Sequence, residues 1–171
     1  MRRIGLVLGG ARSGKSAFAE RRIVATGLPR IYLATGQAFD AEMADRIEAH
    51  RTARGPDWQT VDAPLALPEA ICRHALPGQA VLVDCLTLWL SNLMLAERDI
   101  GHETQALCQA LGAAAGPVTL VASEVGLSIV PDNALARAFR DHAGRINQTV
   151  AALADDVHFV AAGLPLTLKG S

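Results

Sequence analysis

Aromatic side chains make up only 4% of this 171-residue chain, and its sixteen Lys and Arg are matched by seventeen Asp and Glu. A duplex-binding surface needs an excess of basic charge and a single-strand groove needs stacking rings, so no nucleic-acid partner is expected. Cysteine is scarce as well. Cys72, Cys85 and Cys108 are odd in number and have no CxxC spacing, which predicts reduced thiols in a cytoplasmic setting and no structural zinc site. There is no charge-free run of about 18 apolar residues, so no membrane span is expected. The apolar run near the N-terminus, within MRRIGLVLGG, is too short for a signal-peptide core and reads as a first strand. No internal repeat, low-complexity tract or linker interrupts the chain, so a single domain over residues 1–171 is expected.

What the chain does have is hydrophobic residues, half of the total, arranged in alternating kinds of segment. Short β-rich runs at Ile4–Leu8, Arg30–Ala34, Ala80–Asp84, Val118–Ala122 and Val157–Ala161 predict strands. Helical periodicity predicts helices over Lys15–Ala25, Ala41–Arg54, Leu67–Ala75, Leu86–Ala96, Glu103–Ala114 and Asn133–Ala154. Such alternation argues for an α/β fold with a mostly parallel central sheet and helices on both faces. In the last helix Leu135, Phe139, Ile146, Val150 and Leu153 share one apolar face, which should cover the sheet lengthwise. The Leu86–Ala96 helix has almost no polar face. Two explanations are open: burial in a homo-oligomer, or burial under other elements of the same chain.

Gly9-Gly10-Ala11-Arg12-Ser13-Gly14-Lys15-Ser16 fits GxxxxGK[ST], directly after an apolar strand and directly before an amphipathic helix. Glycines let the backbone curl with its N–H groups inward around phosphates, and the helix N-terminus adds positive potential. Lys15 then contacts the outer phosphates and the Ser16 hydroxyl ligates Mg²⁺. The pattern predicts a P-loop NTPase-like three-layer sandwich that binds a purine nucleoside triphosphate with Mg²⁺. Such a site calls for an acidic residue at the end of a neighbouring strand, and Asp84 closes the run Val81-Leu82-Val83. Asp84 is thus the candidate for the magnesium shell, partly through water; its competing role is N-cap of the helix near Leu86. The guanine-reading N/T-K-x-D signature is absent, which argues against a regulatory GTPase.

Within Asp40–Arg54, Arg46, His50 and Arg54 recur at i, i+4 and i+8 and so share a helix face. Guanidinium neighbours disfavour the imidazolium and so favour the neutral, nucleophilic ring, and they could hold polyphosphate. On spacing alone the same stripe also suits a solvated helix face. His74, His102, His142 and His158 form no convincing metal pair.

Taken together these segments resemble the adenosylcobinamide kinase/adenosylcobinamide-phosphate guanylyltransferase family (CobU/CobP). The resemblance runs through GGARSGKS at Gly9–Ser16, YLATG at Tyr32–Gly36, EMADRIEAHRTAR at Glu42–Arg54, WQTVDAP at Trp58–Pro64 and LVDCLTLWLSN at Leu82–Asn92. It continues through EVGLSIVP at Glu124–Pro131 and LARAFRDHAGRINQ at Leu135–Gln148. It implies a two-step enzyme of cobalamin biosynthesis. Adenosylcobinamide is first phosphorylated with ATP or GTP; GMP then passes from GTP to adenosylcobinamide phosphate through a guanylylated histidine, which maps to His50. It also implies nucleotide contacts at Ala34, Thr35, Gly36, Arg51, Thr52, Ala53, Arg54, Asp62 and Asp84, and a homo-oligomer, a homotrimer in the family. Two positions depart from the pattern. Asp62 stands where many relatives have Glu, which lengthens a contact there or routes it through water. Ala49 stands where some have a second histidine, leaving His50 the sole candidate nucleophile in its helix. The alternative is a single-activity P-loop small-molecule kinase, in which His50 would only face phosphate. Neither reading names the general base of phosphorylation.

Overall fold

The computed structural model describes residues 3–37, 52 and 55–170. Seven strands form one sheet: β1 (Ile4–Gly9), β2 (Arg30–Ala34), β3 (Trp58–Asp62), β4 (Ala80–Asp84), β5 (Val118–Ser123), β6 (Asp156–Ala161) and β7 (Leu164–Lys169). Their order is β3-β2-β4-β5-β1-β6-β7. Every pairing is parallel except that of β6 with β7, a hairpin turning at Ala162 and Gly163. The chain leaves β1 on one side and returns to β6 on the other, which makes the carboxyl ends of the strands beside β1 the place for a ligand.

The described helices are α1 (Lys15–Val24), α2 (Leu67–His74), α3 (Leu86–Leu95), α4 (Ile100–Ala113) and α5 (Ala134–Leu153). Alternation along the strands divides the core between the two faces. Ile4, Leu6, Leu8, Val81 and Val83 pack under α2 to α5, whereas Val7, Leu82, Val121 and Val160 meet Ala19 and Ile23 of α1. The expected three-layer arrangement is present.

Two strands escape the sequence expectation. β3 occupies Trp58–Asp62, and β7 carries Leu164, Leu166 and Leu168 in an exposed outer strand. Pro165 obscures the alternation of β7, and an edge strand is where a proline is tolerated. The α4 helix starts at Ile100, earlier than the expected Glu103, because Asp99 caps it by accepting from His102 N at 3.0 Å. The expected helix Ala41–Arg54 lies outside the described residues, except for Thr52.

Of the two explanations for the apolar Leu86–Ala96 segment, intrachain burial accounts for most of it. Leu86, Trp89, Leu90 and Leu93 are buried within this chain, and Trp89 Nε1 donates to Leu65 O at 3.0 Å; Leu95, 67% exposed, and Ala96 at the end of the segment face out. The expected apolar stripe of α5 is shorter than the helix. Ala143, Ile146 and Val150 are buried, but Leu135 and Leu153 are exposed. A 20-residue helix is about 30 Å long. A six-residue strand spans only about 20 Å, so both helix ends overhang the sheet.

Candidate functional site

Residues 9–16 connect the carboxyl end of β1 to the first turn of α1. The loop depends on two of its glycines, one for space and one for backbone conformation. A Cβ on Gly9 would lie 2.5 Å from Ser13 Oγ and 2.6 Å from Val160 O. Gly14, the N-cap of α1, has φ of +90°, and a Cβ there would lie 3.1 Å from Gly163 Cα. Gly163 N donates to Ser13 O at 2.8 Å, so the β6–β7 turn braces the loop from outside.

Several polar groups of the loop have no strong partner among the described residues. Lys15 Nζ folds back onto Gly10 O at 3.0 Å, a contact that a phosphate oxygen would replace with a charge-assisted one. Ser13 Oγ is buried without a hydrogen-bond partner among the described residues. The first turn of α1 contains no acidic side chain, so its exposed N–H groups keep their affinity for anions.

Strand register brings the other candidates to the same edge of the sheet. Ala34 of β2 lies level with Asp62 of β3 on one side and Asp84 of β4 on the other, while Gly9 lies level with Ser123 of β5. Neighbouring strands are about 4.8 Å apart, so Asp84, two strands from β1, is roughly 10 Å across from the loop. Asp62, four strands away, is about 19 Å across and cannot share a phosphate with the loop.

Asp84 does not cap α3. Its Oδ2 accepts from Tyr32 Oη at 3.0 Å, and the N-cap of α3 is Cys85, with no side-chain hydrogen bond. Burial and the adjacent Asp84 carboxylate push the Cys85 thiol up to about 11, so it stays protonated and unreactive near neutrality. Thr35 is fully buried, and its hydroxyl donates to Cys85 O at 2.7 Å while accepting from Cys85 N at 2.8 Å. In this structure the Thr35 hydroxyl therefore holds the turn after β4. Asn92 ties this turn to its neighbours by donating to Thr35 O at 2.7 Å and to Pro64 O at 2.9 Å.

Tyr32, Asn92 and Glu124 join the edge without having been singled out from sequence. Asn92 carried one readable signal, a polar residue inside an otherwise apolar helix. Of the candidates around the expected nucleophile, Thr52 is exposed. His50, Arg51, Ala53 and Arg54 lie outside the described residues.

The donor set at the loop, the Ser16 hydroxyl and the Asp84 carboxylate, consists of hard oxygens. Among the described residues no group of three or more His, Cys, Asp or Glu could form a metal cage. Magnesium suits such a sparse set, because it keeps several waters and takes further ligands from substrate phosphates. No helix among the described residues is long and apolar enough to cross a membrane.

Comparison with known proteins agrees with the resemblance read from the motifs. The model of a family described as cobinamide kinase / cobinamide phosphate guanyltransferase matches residues 5–168. The bifunctional adenosylcobalamin biosynthesis protein CobP of Pseudomonas aeruginosa is 46% identical over 167 residues, covering 96% of both chains. The proteins of that description named CobU in Salmonella typhimurium and Escherichia coli are each 40% identical, over 96% of this chain and 98% of theirs. Among solved structures, the flagellar accessory protein FlaH of Methanocaldococcus jannaschii superposes with a TM-score of 0.50 at 11% identity, over 99% of this chain and 79% of that one. That likeness concerns the fold alone.

Proposed function

Because the chain belongs to the cobinamide kinase / cobinamide phosphate guanyltransferase family, we propose that it is a cytoplasmic, single-domain enzyme of cobalamin biosynthesis that carries out both reactions. In the first, ATP or GTP phosphorylates the aminopropanol hydroxyl of adenosylcobinamide. In the second, GMP passes from GTP to adenosylcobinamide phosphate, giving adenosylcobinamide-GDP and pyrophosphate. The observation that carries this reading is the Gly9–Ser16 loop at the carboxyl edge of the sheet, with Lys15 and Ser13 Oγ lacking strong partners among the described residues and Asp84 two strands away.

In both reactions the inward N–H groups of residues 9–14 and the ammonium of Lys15 hold the triphosphate, and Ser16 and Asp84 hold Mg²⁺, Asp84 partly through water. Bound Mg²⁺ supplies positive charge where negative charge builds on the phosphate oxygens. Tyr32 keeps the Asp84 carboxylate oriented, and Thr35 and Asn92 fix the turn that follows it. In this reading Ala34, Gly36 and Asp62, along the same edge, contact the nucleoside or the acceptor and not the phosphates in the loop.

The assignment of His50 rests on the R-I-x-x-H match and on its place between Arg46 and Arg54 in the sequence. Its imidazole attacks the α-phosphorus of GTP, displacing pyrophosphate and forming a phosphoramidate, which the phosphate of the acceptor then displaces. Arg51–Arg54 flank the nucleotide in this reading. Family membership likewise motivates a homo-oligomer, a homotrimer in the family.

Labelled GTP provides the test. Label at the α-phosphate becomes attached to His50, in an acid-labile and alkali-stable linkage; label at the γ-phosphate does not. His50→Ala abolishes labelling and guanylyl transfer but retains phosphorylation. Full transfer by that variant, or label mapped to another residue, overturns the nucleophile. A single-activity kinase would show phosphorylation with no nucleotidyl-protein.

A further inference from the structure

We propose that Glu124 is the general base of the phosphorylation step, taking the proton from the acceptor hydroxyl. The inference rests on the kinase half of the function proposed above. Strand β5 lies between β1, which leads into the phosphate loop, and β4, which ends at Asp84. Ser123 is level with Gly9, and the next residue, Glu124, donates its backbone N–H to Gly9 O at 3.0 Å. Glu124 therefore emerges between the two groups that would hold the triphosphate and its metal, anchored to the first residue of the loop.

The side chain is positioned as well. Oε1 accepts from Gly126 N at 2.6 Å, and a Cβ on Gly126 would come within 2.9 Å of that oxygen, so a glycine there lets the carboxylate fold back. Oε2 has no hydrogen-bond partner and the carboxylate has no ion pair among the described residues. Beside a phosphate cradle, a carboxylate without a neutralising cation weakens anion binding by like-charge repulsion. Proton abstraction is a task that offsets that penalty.

The step balances without an added reagent. The acceptor O–H gives its proton to the Glu124 carboxylate while the oxygen lone pair forms the bond to the γ-phosphorus. The bond from the γ-phosphorus to the bridging oxygen breaks, and its electron pair leaves with the nucleoside diphosphate. Glu124 then releases its proton to water. In guanylyl transfer the acceptor is already a phosphate anion with no hydroxyl proton to remove. The two half-reactions therefore differ in their need for Glu124.

The experiment compares wild type with Glu124→Gln in the full chain. The amide oxygen of Gln still accepts from Gly126 N, so the turn keeps its hydrogen bond while the basic carboxylate is gone. Phosphorylation of adenosylcobinamide and guanylylation of pre-formed adenosylcobinamide phosphate are measured on the same preparation. Phosphorylation kcat is expected to fall about 10²–10⁴-fold and to lose the acidic limb of its pH–rate profile. The ratio of phosphorylation to guanylylation falls with it, while the nucleotide KM stays within about threefold. Glu124→Asp, with its carboxylate on a shorter arm, recovers part of the loss.

Phosphorylation by Glu124→Gln within about threefold of wild type overturns the proposal. So does a parallel loss of both steps with a raised nucleotide KM, which would make Glu124 part of the loop's support. A wild-type chain that guanylylates but never phosphorylates adenosylcobinamide sinks the kinase reading itself, and this proposal with it.

Discussion

At the start of β6 the carboxylate of Asp156 is fully buried, and Arg22 at 2.6 Å, Arg3 at 2.7 Å and His158 at 3.3 Å converge on it. At the opposite end of neighbouring β1, Ser13 Oγ is buried with no partner among the described residues and Lys15 touches only a backbone carbonyl. The amino edge of the sheet thus sets a buried carboxylate against cations of the chain, although Arg22 Nε and Asp156 Oδ1 make no well-formed hydrogen bond there, whereas among the described residues the carboxyl edge gives Lys15 and Ser13 no charged partner. A buried charge needs a partner, and removing one strands the others; a polar group without a partner lowers the cost of taking up a ligand that supplies one. The same sheet is a structural clamp at one end and a binding rim at the other.

Breaking the clamp should have the largest effect. Asp156→Ala removes the carboxylate that faces the Arg22 guanidinium inside the fold and is expected to destabilise it by about 3 kcal/mol, the low end for a broken buried pair, because Arg22 is itself partly exposed and can rehydrate. Urea unfolding measures this, and nucleotide affinity well below the transition should change little. Lys15→Ala is the reverse experiment: both half-reactions lose about 1.5–3 kcal/mol of transition-state stabilisation while the unfolding midpoint barely moves. Unchanged turnover in either step would place that step at another site.

Asp84→Asn sharpens the comparison at the rim. If the carboxylate orders the metal shell, the magnesium midpoint for activity rises about tenfold or more. A loss of stability at an unchanged midpoint would confine Asp84 to holding Tyr32.

His158 tests the clamp by pH. Burial and then the Arg22 guanidinium hold its imidazole below the ordinary range, against the opposing pull of Asp156. The unfolded chain therefore binds the proton first as pH falls. The stability involved is complete above about pH 6.5 and is lost as pH drops toward the folded value. His158→Gln should flatten that part of the stability–pH curve, and an unchanged slope would rule the histidine out as its source. The smallest effect concerns thiols: near pH 8 a maleimide should modify exposed Cys72 and spare Cys85, which peptide mapping can check.

The rim was more legible in the sequence than the clamp. Gly9–Ser16 and Asp84 announce themselves because glycines, a lysine and a strand-ending carboxylate in that spacing have few other uses. Asp156 gives no such signal: its partners Arg3 and Arg22 lie more than 130 positions away and meet it only because β6 pairs beside β1. Glu124 opens the stretch Glu124–Pro131 that carries part of the family resemblance, but its place next to Gly9 depends on β5 lying between β1 and β4, an order that local periodicity does not encode. The Thr35 hydroxyl shows the opposite limit: the motif marks the position, while its bonds to Cys85 come from tertiary packing. For β7 the leucines recur at period two, but Pro165 inside the run argues against a strand, and only the tertiary placement of β7 at the sheet edge makes that proline tolerable.

The brace from Gly163 to Ser13 also has a consequence for the order of events during synthesis. Translation produces the phosphate loop before either neighbour of β1: Val118–Ser123 and then Asp156–Ala161 are made later, and the Gly163 N–H follows later still. A nascent chain halted before residue 118 carries the nucleotide motif as an unpaired apolar strand and a loose glycine-rich segment, exposed to chaperones and to other nascent chains. The phosphate cradle is written well before the strands and the turn that give it its shape.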